Sequence, residues 1–356
     1  MIGPEPQPIG TPMTEALNKR FLLAERPEGR AVKESDFKFE TAPIPSPEEG
    51  QVLLRARYLS LDPYMRGRMS AARSYALPVE LGAVMTGEVV GEIVQSRAPG
   101  LALGDLALAH AGWQEYAVLP AKAVERVDRA LLGELPISYL LGVLGMPGAT
   151  AYFALDTIGK PQPRETVLVS AAAGAVGQVA GQIAKLKGCR VIGTAGAADK
   201  LAYVTQQLGF DAGVDYKGKD ATALAAAIAA HAPSGIDVFF DNVGGVTHDA
   251  AMMNLALHGR IIICGAISTY DRVGQPDIGQ RWNRQLLVRR ALMQGFLVSD
   301  HRARWGEFRA QMAAWLGRGE IRYREDIVDG IEAAPRAFIG LLNGANRGKM
   351  LVRLAG

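Results

Sequence analysis

From Arg20 to about Gln95 the apolar positions fall in short runs, Phe21-Leu22-Leu23, Val52-Leu53-Leu54, Val89-Val90 and Ile93-Val94. They are separated by clusters carrying Pro43, Pro45, Pro47 and Gly50. Runs this short, punctuated by proline and glycine, predict strands joined by turns. Gln51 to Ser60 and Gly87 to Ser96 are expected as strands. Gly104-Asp105 marks a tight turn before Leu106-Ala107-Leu108, and Glu115-Tyr116-Ala117-Val118 reads as a further strand. From about Leu140 the rhythm becomes strand and helix in alternation. Val167 to Ser170, Arg190 to Thr194, Val238 to Phe240 and Arg260 to Cys264 each lead into glycine or a helical stretch. That rhythm predicts a parallel sheet with crossover helices. The helix from Val176 sets Val179, Ala180, Ile183 and Ala184 on one face and stops at Gly188. Further on, a helix is expected over His301 to Leu316 and a strand at Ile321-Arg322-Tyr323. Lys349 to Leu354 is expected to close back on the first half.

A length of 356 residues suggests two domains. Lys plus Arg number 39 against 36 for Asp plus Glu, with no block of either sign, so nothing favours a nucleic-acid partner. With 49% hydrophobic residues there is ample material for a core, yet no apolar run approaches the roughly 18 to 20 residues of a membrane span. The opening MIGPEPQPIGTPM has neither a basic start nor an apolar centre, so it reads as a loose tail and not as a signal peptide, with order expected from near Leu17. Cys189 and Cys264 are the only cysteines and form no CxxC, which excludes a disulfide framework and a thiolate-rich zinc site and suits a reducing, cytoplasmic setting. His110, His231, His248, His258 and His301 are scattered, none beside a cysteine in sequence. No metal is therefore expected, and carbonyl polarisation falls to hydrogen bonds.

The strand Val167 to Ser170 runs through Ala171-Ala172-Ala173-Gly174-Ala175-Val176-Gly177 into the helix. Ala172, Gly174 and Gly177 thus occupy the i, i+2 and i+5 places of a dinucleotide fingerprint. Gly174 lets a pyrophosphate approach the backbone, and Gly177 allows close packing of helix on strand. Ala172 departs from the first glycine, which is tolerable where φ stays negative. An NAD site would carry an acid at the end of the second strand. The chain has Ile192-Gly193-Thr194-Ala195-Gly196 there, followed by Lys200, which suits a 2′-phosphate with nothing nearby to repel it. NADP(H) is favoured; the plainer reading of Lys200 is a solvated lysine in a helix capped by Asp199.

Four separated motifs now resemble one family. They are Leu61-Asp62-Pro63-Tyr64-Met65-Arg66, the loop AAAGAVGQVAGQIAKLKGCRVIG, Phe240-Asp241-Asn242-Val243-Gly244-Gly245, and Cys264-Gly265-Ala266-Ile267-Ser268-Thr269-Tyr270. The family is the prostaglandin reductase, alkenal double-bond reductase and NADPH-dependent curcumin reductase branch of the zinc-independent medium-chain dehydrogenases. The resemblance covers about residues 17 to 356. It implies an α/β fold in which a β-rich chaperonin-10-like (GroES-like) barrel domain accompanies a Rossmann doubly wound parallel sheet. The expected layout is a tail at 1–16, the GroES-like domain at 17–144, the Rossmann NADP-binding domain at 145–323 and a C-terminal return at 324–356. It further implies a homodimer, with the segment Leu292 to Val298 as a pairing edge, and reduction of the carbon-carbon double bond of an enone or enal. The family's pyrophosphate loop falls on Gly174, Ala175, Val176 and Gly177, and its 2′-phosphate readers on Lys200 and Tyr216. Its other cofactor contacts fall on Asn242, on Cys264, Gly265, Ala266, Ile267, Ser268, Thr269 and Tyr270, on Phe296, Leu297 and Val298, and on Asn346. Zinc enzymes carry Gly-His-Glu where this chain has Thr86-Gly87-Glu88, so the ligand histidine is missing.

Hydride delivery to the β-carbon of an enone builds negative charge on the carbonyl oxygen, which needs a hydrogen-bond donor. A tyrosine suits, because its phenol stays protonated at neutral pH. Tyr64, after the rigid Asp62-Pro63 corner, and Tyr270 are the candidates, with a structural tyrosine as the plainer reading of each. Arg66 is expected to anchor its loop, Met65 and Met69 to pack, and Asp241 to end a strand. Two other readings stay open, an NADPH quinone oxidoreductase on the same fold and a non-catalytic NADPH-binding protein.

Overall fold

In a strand the side chains alternate between faces, so a strand apolar at every position needs cover on both sides. Thr166–Val169 and Ile236–Asp241 come close to that, with apolar residues on both faces of each. Val167, Val169, Val238 and Phe240 join one buried cluster, while Leu168 and Phe239 join another on the opposite face. A computed structural model describes residues 17–272 and 275–354 of the chain. The expected tail at 1–16 lies outside the described residues.

In chain order, β1 (Leu17–Leu23) pairs antiparallel with β2 (Phe37–Pro43). There follow β3 (Gln51–Ser60), the short helix α1 (Tyr64–Arg68), β4 (Val89–Ser96), β5 (Leu106–Ala109), β6 (Tyr116–Pro120) and β7 (Val124–Arg126). The alternating part holds α2 (Met146–Ala154), β8 (Thr166–Val169), α3 (Gly177–Leu186), β9 (Arg190–Ala195), α4 (Ala198–Ala202) and β10 (Ala212–Asp215). It continues through α5 (Ala221–Ala229), β11 (Ile236–Asp241), α6 (Gly245–Met253), β12 (Leu255–Ile263), α7 (Asn283–Arg289), β13 (Leu292–Gly295) and α8 (Trp305–Gly317). The end of the chain forms β14 (Glu325–Asp329), α9 (Ala334–Leu342) and β15 (Lys349–Arg353).

A six-stranded sheet runs β10-β9-β8-β11-β12-β13, all neighbours parallel, and its sequence order reverses between β8 and β11. A seven-stranded sheet runs β14-β15-β3-β4-β5-β7, with β6 paired on β3. β15 lies antiparallel to β3, Leu351 opposite Ser60, so Lys349 to Leu354 does close back on the first half. The same return brings Phe338 edge-on to Trp113 at 5.6 Å, and Trp113 stacks on Phe37 at 5.0 Å in the core of that half. The fold class expected from the chain is the one observed: a doubly wound Rossmann sheet beside a β-rich GroES-like domain.

α3 shows how the local sequence acts. Val179, Ala180, Ile183 and Ala184 are all buried against the sheet, and burying Val179 and Ile183 is worth about 1.5–3 kcal/mol each. Gly188 then takes φ +79°, and the amides of Gly188 and Cys189 reach back to Lys185 and Ala184, which closes the helix.

Two expectations are corrected. His301 to Leu316 is not one helix, because a 3-10 stretch over Val298–Arg304 precedes α8. Ile321-Arg322-Tyr323 is not a strand. Its backbone is matched by two glutamines of α3. Gln182 accepts from the Arg322 amide at 2.8 Å and donates to the Arg322 carbonyl at 2.8 Å, and Gln178 does the same for Arg324 at 2.9 and 3.1 Å. Side-chain amides stand where a neighbouring strand would be.

Candidate active site

Where strand order reverses, the carboxyl ends of β8 and β11 frame a crevice, and an open α/β sheet binds ligands there. Ser170 and Asp241 hold its floor together. The Ser170 hydroxyl donates to Asp241 at 3.1 Å and accepts from the Asn242 amide at 2.8 Å, while the Asn242 side chain donates to the Ser170 carbonyl at 2.8 Å. Asp241, fully buried, also accepts from the amides of Val243 and Gly244 at 3.0 Å and faces His248 at 2.9 Å. Its carboxylate is thus committed to the turn that presents Asn242.

From Ser170 the chain turns into α3. The strain sits at Ala171, whose φ is +48°, and Ala172 is not among the residues of positive φ, so the missing first glycine costs nothing there. A Cβ on Gly177 would lie 2.4 Å from the Ala171 carbonyl oxygen and 2.9 Å from the Ala172 Cα, both backbone, so only glycine lets helix and loop meet this closely. The amides of Ala175 and Val176 find no backbone acceptor among the described residues. Free amides at a helix N-terminus are groups that an anion could bond.

At the end of β9, a Cβ on Gly196 would fall 2.8 Å from the Tyr216 hydroxyl. Tyr216 therefore packs directly on Gly196, and Lys200 follows four residues later in α4. The Lys200 ammonium donates to the Gly344 carbonyl at 2.7 Å, and the adjacent Asn346, buried, donates to Gly348 at 2.6 Å. The C-terminal return so meets the nucleotide end of the Rossmann sheet. Two readings of the sequence are corrected at this point. The residue capping α4 is Ala197, not Asp199. Nor is the surrounding free of acids: Asp199 and Asp326 both lie near Lys200, with Arg347 and Lys217 as cations. Arg347 pairs with Asp199 through its side chain and with Asp326 through its amide at 2.8 Å. The sequence reading missed Arg347. Its position beside Asn346 was the available signal.

Glu88 and Tyr75 stand near Tyr64, and Tyr75 and Cys264 near Tyr270. The Tyr64 hydroxyl is buried and has no hydrogen-bond partner among the described residues. Burial pushes its pKa well above 10, and the nearby charges of Asp62 and Glu88 push the same way. Burial likewise raises Tyr270 to about 12, against a backbone hydrogen bond at Ala266. Tyr75 lies near both phenols, and the helix of Tyr64 packs against the Ile267–Arg272 turn that carries Tyr270. Arg66 fixes their relation. Its guanidinium, fully buried, donates to the carbonyls of Pro27 and Arg30 at 2.5 and 3.1 Å and meets Asp271 at 3.4 Å. It thereby ties Tyr64's helix to the residue after Tyr270 and anchors its loop as expected; Met65 and Met69 are core residues.

Beneath Tyr64, Lys349 donates to Asp62 at 2.7 Å and to the Leu61 carbonyl at 2.8 Å, and Ser60 donates to the other Asp62 oxygen. Cys264 is a thiol, raised to about 12 by burial, and Cys189 is held against the Gln162 carbonyl at 3.2 Å. Phe296 is stacked on His301 at 5.2 Å and buried, Val298 packs against the same cluster, and Leu297 is exposed. Ser268 and Thr269 are engaged in their own turn, bonded to Val243 and Ala266. Among the described residues no three His, Cys, Asp or Glu side chains gather as a metal cluster. No helix among them is long and apolar enough to cross a membrane.

The matches with known proteins follow this division. Residues 19–127 match a family model described as the N-terminal domain of oxidoreductase, and residues 175–316 one described as zinc-binding dehydrogenase. The chain is 45% identical to the NADPH-dependent curcumin reductase of Escherichia coli K12, over 95% of this chain and 97% of that protein. The chain belongs to the prostaglandin reductase, alkenal reductase and curcumin reductase family. Within it, prostaglandin reductase 1 of Bos taurus is 42% identical over 90% of this chain and 94% of its own. The crystal structure of CurA from Vibrio vulnificus in complex with NADPH superposes with a TM-score of 0.88 at 45% identity, covering 95% of this chain and 99% of that one.

Proposed function

We propose that this protein reduces the carbon-carbon double bond of α,β-unsaturated ketones and aldehydes with NADPH. The observation that carries the reading is the buried, unpartnered hydroxyl of Tyr64, on a helix packed against the turn that holds Tyr270. A buried hydroxyl without a partner is costly, and an incoming carbonyl oxygen would relieve it. Relatives named as a curcumin reductase and a prostaglandin reductase support the substrate class.

The cofactor fits the residues present. Gly174 to Gly177 would hold its pyrophosphate, and Lys200 and Tyr216 its 2′-phosphate. Asn242, the Cys264 to Tyr270 loop, Phe296 to Val298 and Asn346 would hold the remainder. Bound NADPH supplies the hydride for the β-carbon. Tyr64 and Tyr270 then donate to the carbonyl oxygen as enolate charge builds. Burial keeps both phenols protonated, and the carboxyl groups near Tyr64 further oppose its ionisation, so the donors stay neutral throughout the working pH range. Asp241, held in its turn, does not compete for the donors. The chain would work as a homodimer joined along β13, an edge strand with Leu287, Val288 and Leu292 exposed beside it. Sedimentation of a monomer at micromolar concentration would refute that pairing.

The test of the reaction is NADPH oxidation with a 2-alkenal, an aryl enone, a quinone and a simple ketone, repeated with NADH. Saturated product from the first two, with NADPH preferred, is the expected result. Turnover of the quinone alone would transfer the assignment to quinone reduction, and NADPH binding without any turnover would overturn the enzymatic reading.

A further inference from the structure

The charges around Lys200 do not follow from a lysine alone reading a 2′-phosphate. Asp199, its immediate neighbour, is an acid in the first turn of α4, and Asp326 stands close by. A phosphate carrying nearly two negative charges would be opposed by both. Counting the charged groups that face this point gives Lys200, Lys217 and Arg347 against Asp199 and Asp326, three cations to two carboxylates. Without Arg347 the balance is even. Arg347 belongs to β15's approach, 148 residues away in sequence, and reaches across to bond the Asp199 carboxylate. Its amide is pinned to Asp326, and the same loop accepts the Lys200 ammonium at the Gly344 carbonyl. The guanidinium is 57% exposed and the Asp199 side chain 46%, so the pair faces solvent beside the lysine and is not a buried structural bridge.

We infer that Arg347 is a specificity-determining residue of the nucleotide site, masking the Asp199 carboxylate so that a 2′-phosphate is accepted next to Lys200. This rests on the NADPH reading above and extends it, because it assigns the preference for the phosphorylated nucleotide to a pair split between the two ends of the chain. An unmasked Asp199, one residue before Lys200, would act like the acid that NAD sites place near the ribose diol, and would turn the site from NADPH toward NADH. The mask acts on charge, so it has a signature that loss of folding lacks: it is specific to the 2′-phosphate and is reversed by removing the acid.

The experiment measures binding of NADPH, NADH and adenosine 2′,5′-bisphosphate by titration calorimetry to the unaltered full chain, R347L, R347K and the double variant D199N/R347L. R347L is expected to bind NADPH and the bisphosphate about 10-fold more weakly, the range of one charge-assisted contact at an exposed site, with NADH within about twofold. R347K should retain most of the NADPH affinity, and D199N/R347L should regain most of it. R347L binding NADPH as the unaltered chain does, or losing NADPH and NADH in equal proportion, would overturn the inference. So would a double variant as weak as R347L. Equal affinity of the unaltered chain for NADPH and NADH would refute the nucleotide reading itself, an outcome distinct from all of these.

Discussion

Glu88 stands at the entry to β4 with a side chain 15% exposed and no hydrogen bond among the described residues. Of the cations that act on it, Arg302 makes no ion pair with it and Lys349 is already bonded to Asp62 and to the Leu61 carbonyl, while His110 lies 4.0 Å away. Burial therefore raises the carboxyl from 4.5 to about 7, and the charges of Asp62 and Glu125 add to it against Arg302 and Lys349. The folded state holds this proton more tightly than the unfolded chain does. Its contribution to stability is fully present below about pH 4.5 and is lost as pH rises through about 7. A rise of this size corresponds to about 3 kcal/mol at most, and partial exposure reduces it to about 2 kcal/mol. Glu88→Gln keeps the shape and removes the titration. Urea unfolding of both proteins at about pH 5 and about pH 8 isolates the term, since every other titrating group cancels in the double difference. The variant should gain about 2 kcal/mol relative to the parent on going from the lower pH to the higher. Parallel pH profiles for the two proteins would refute the argument, as would the absence of a protonated-carboxyl infrared band at about pH 6 that disappears in the variant.

Three further substitutions test other parts of the molecule. Tyr64→Phe removes a hydroxyl that has no partner, so folding stability should hold or rise by about 1 kcal/mol while kcat falls by roughly 100-fold or more; a kcat within threefold of the parent would remove Tyr64 from the chemistry. Gly177→Ala drives a Cβ into the Ala171 and Ala172 backbone, and should cost about 1–3 kcal/mol in thermal unfolding together with NADPH affinity, whereas unchanged affinity would show that the loop does not cradle the nucleotide. Lys349→Met removes the cation from the buried Asp62 carboxylate and should destabilise by about 3–5 kcal/mol in denaturant titration; a loss under 1 kcal/mol would show that this pair does not hold the fold.

The sequence by itself determined the elements whose cause is local. β3 spans Gln51 to Ser60 because its apolar residues stand between proline- and glycine-bearing turns, and α3 buries Val179, Ala180, Ile183 and Ala184 and stops at Gly188 because helical spacing and a residue free to take positive φ are written in ten consecutive positions. The strand, turn and helix from Thr166 to Leu186 were legible for the same reason, being contiguous. Only the tertiary structure decided what depends on partners far along the chain. Ile321 to Tyr323 has the composition of a strand, yet its backbone meets Gln178 and Gln182 from about 140 residues earlier, and those amides satisfy it without a ladder. Asp199 pairs with Arg347 from the far end of the chain, and the helix of Tyr64 is tied to the turn of Tyr270 only through Arg66 and Asp271, 205 positions apart. Periodicity reports which face of an element is buried. Which charge or phenol stands opposite that face is set by how distant segments pack, and a single chain read in order carries no signal for it.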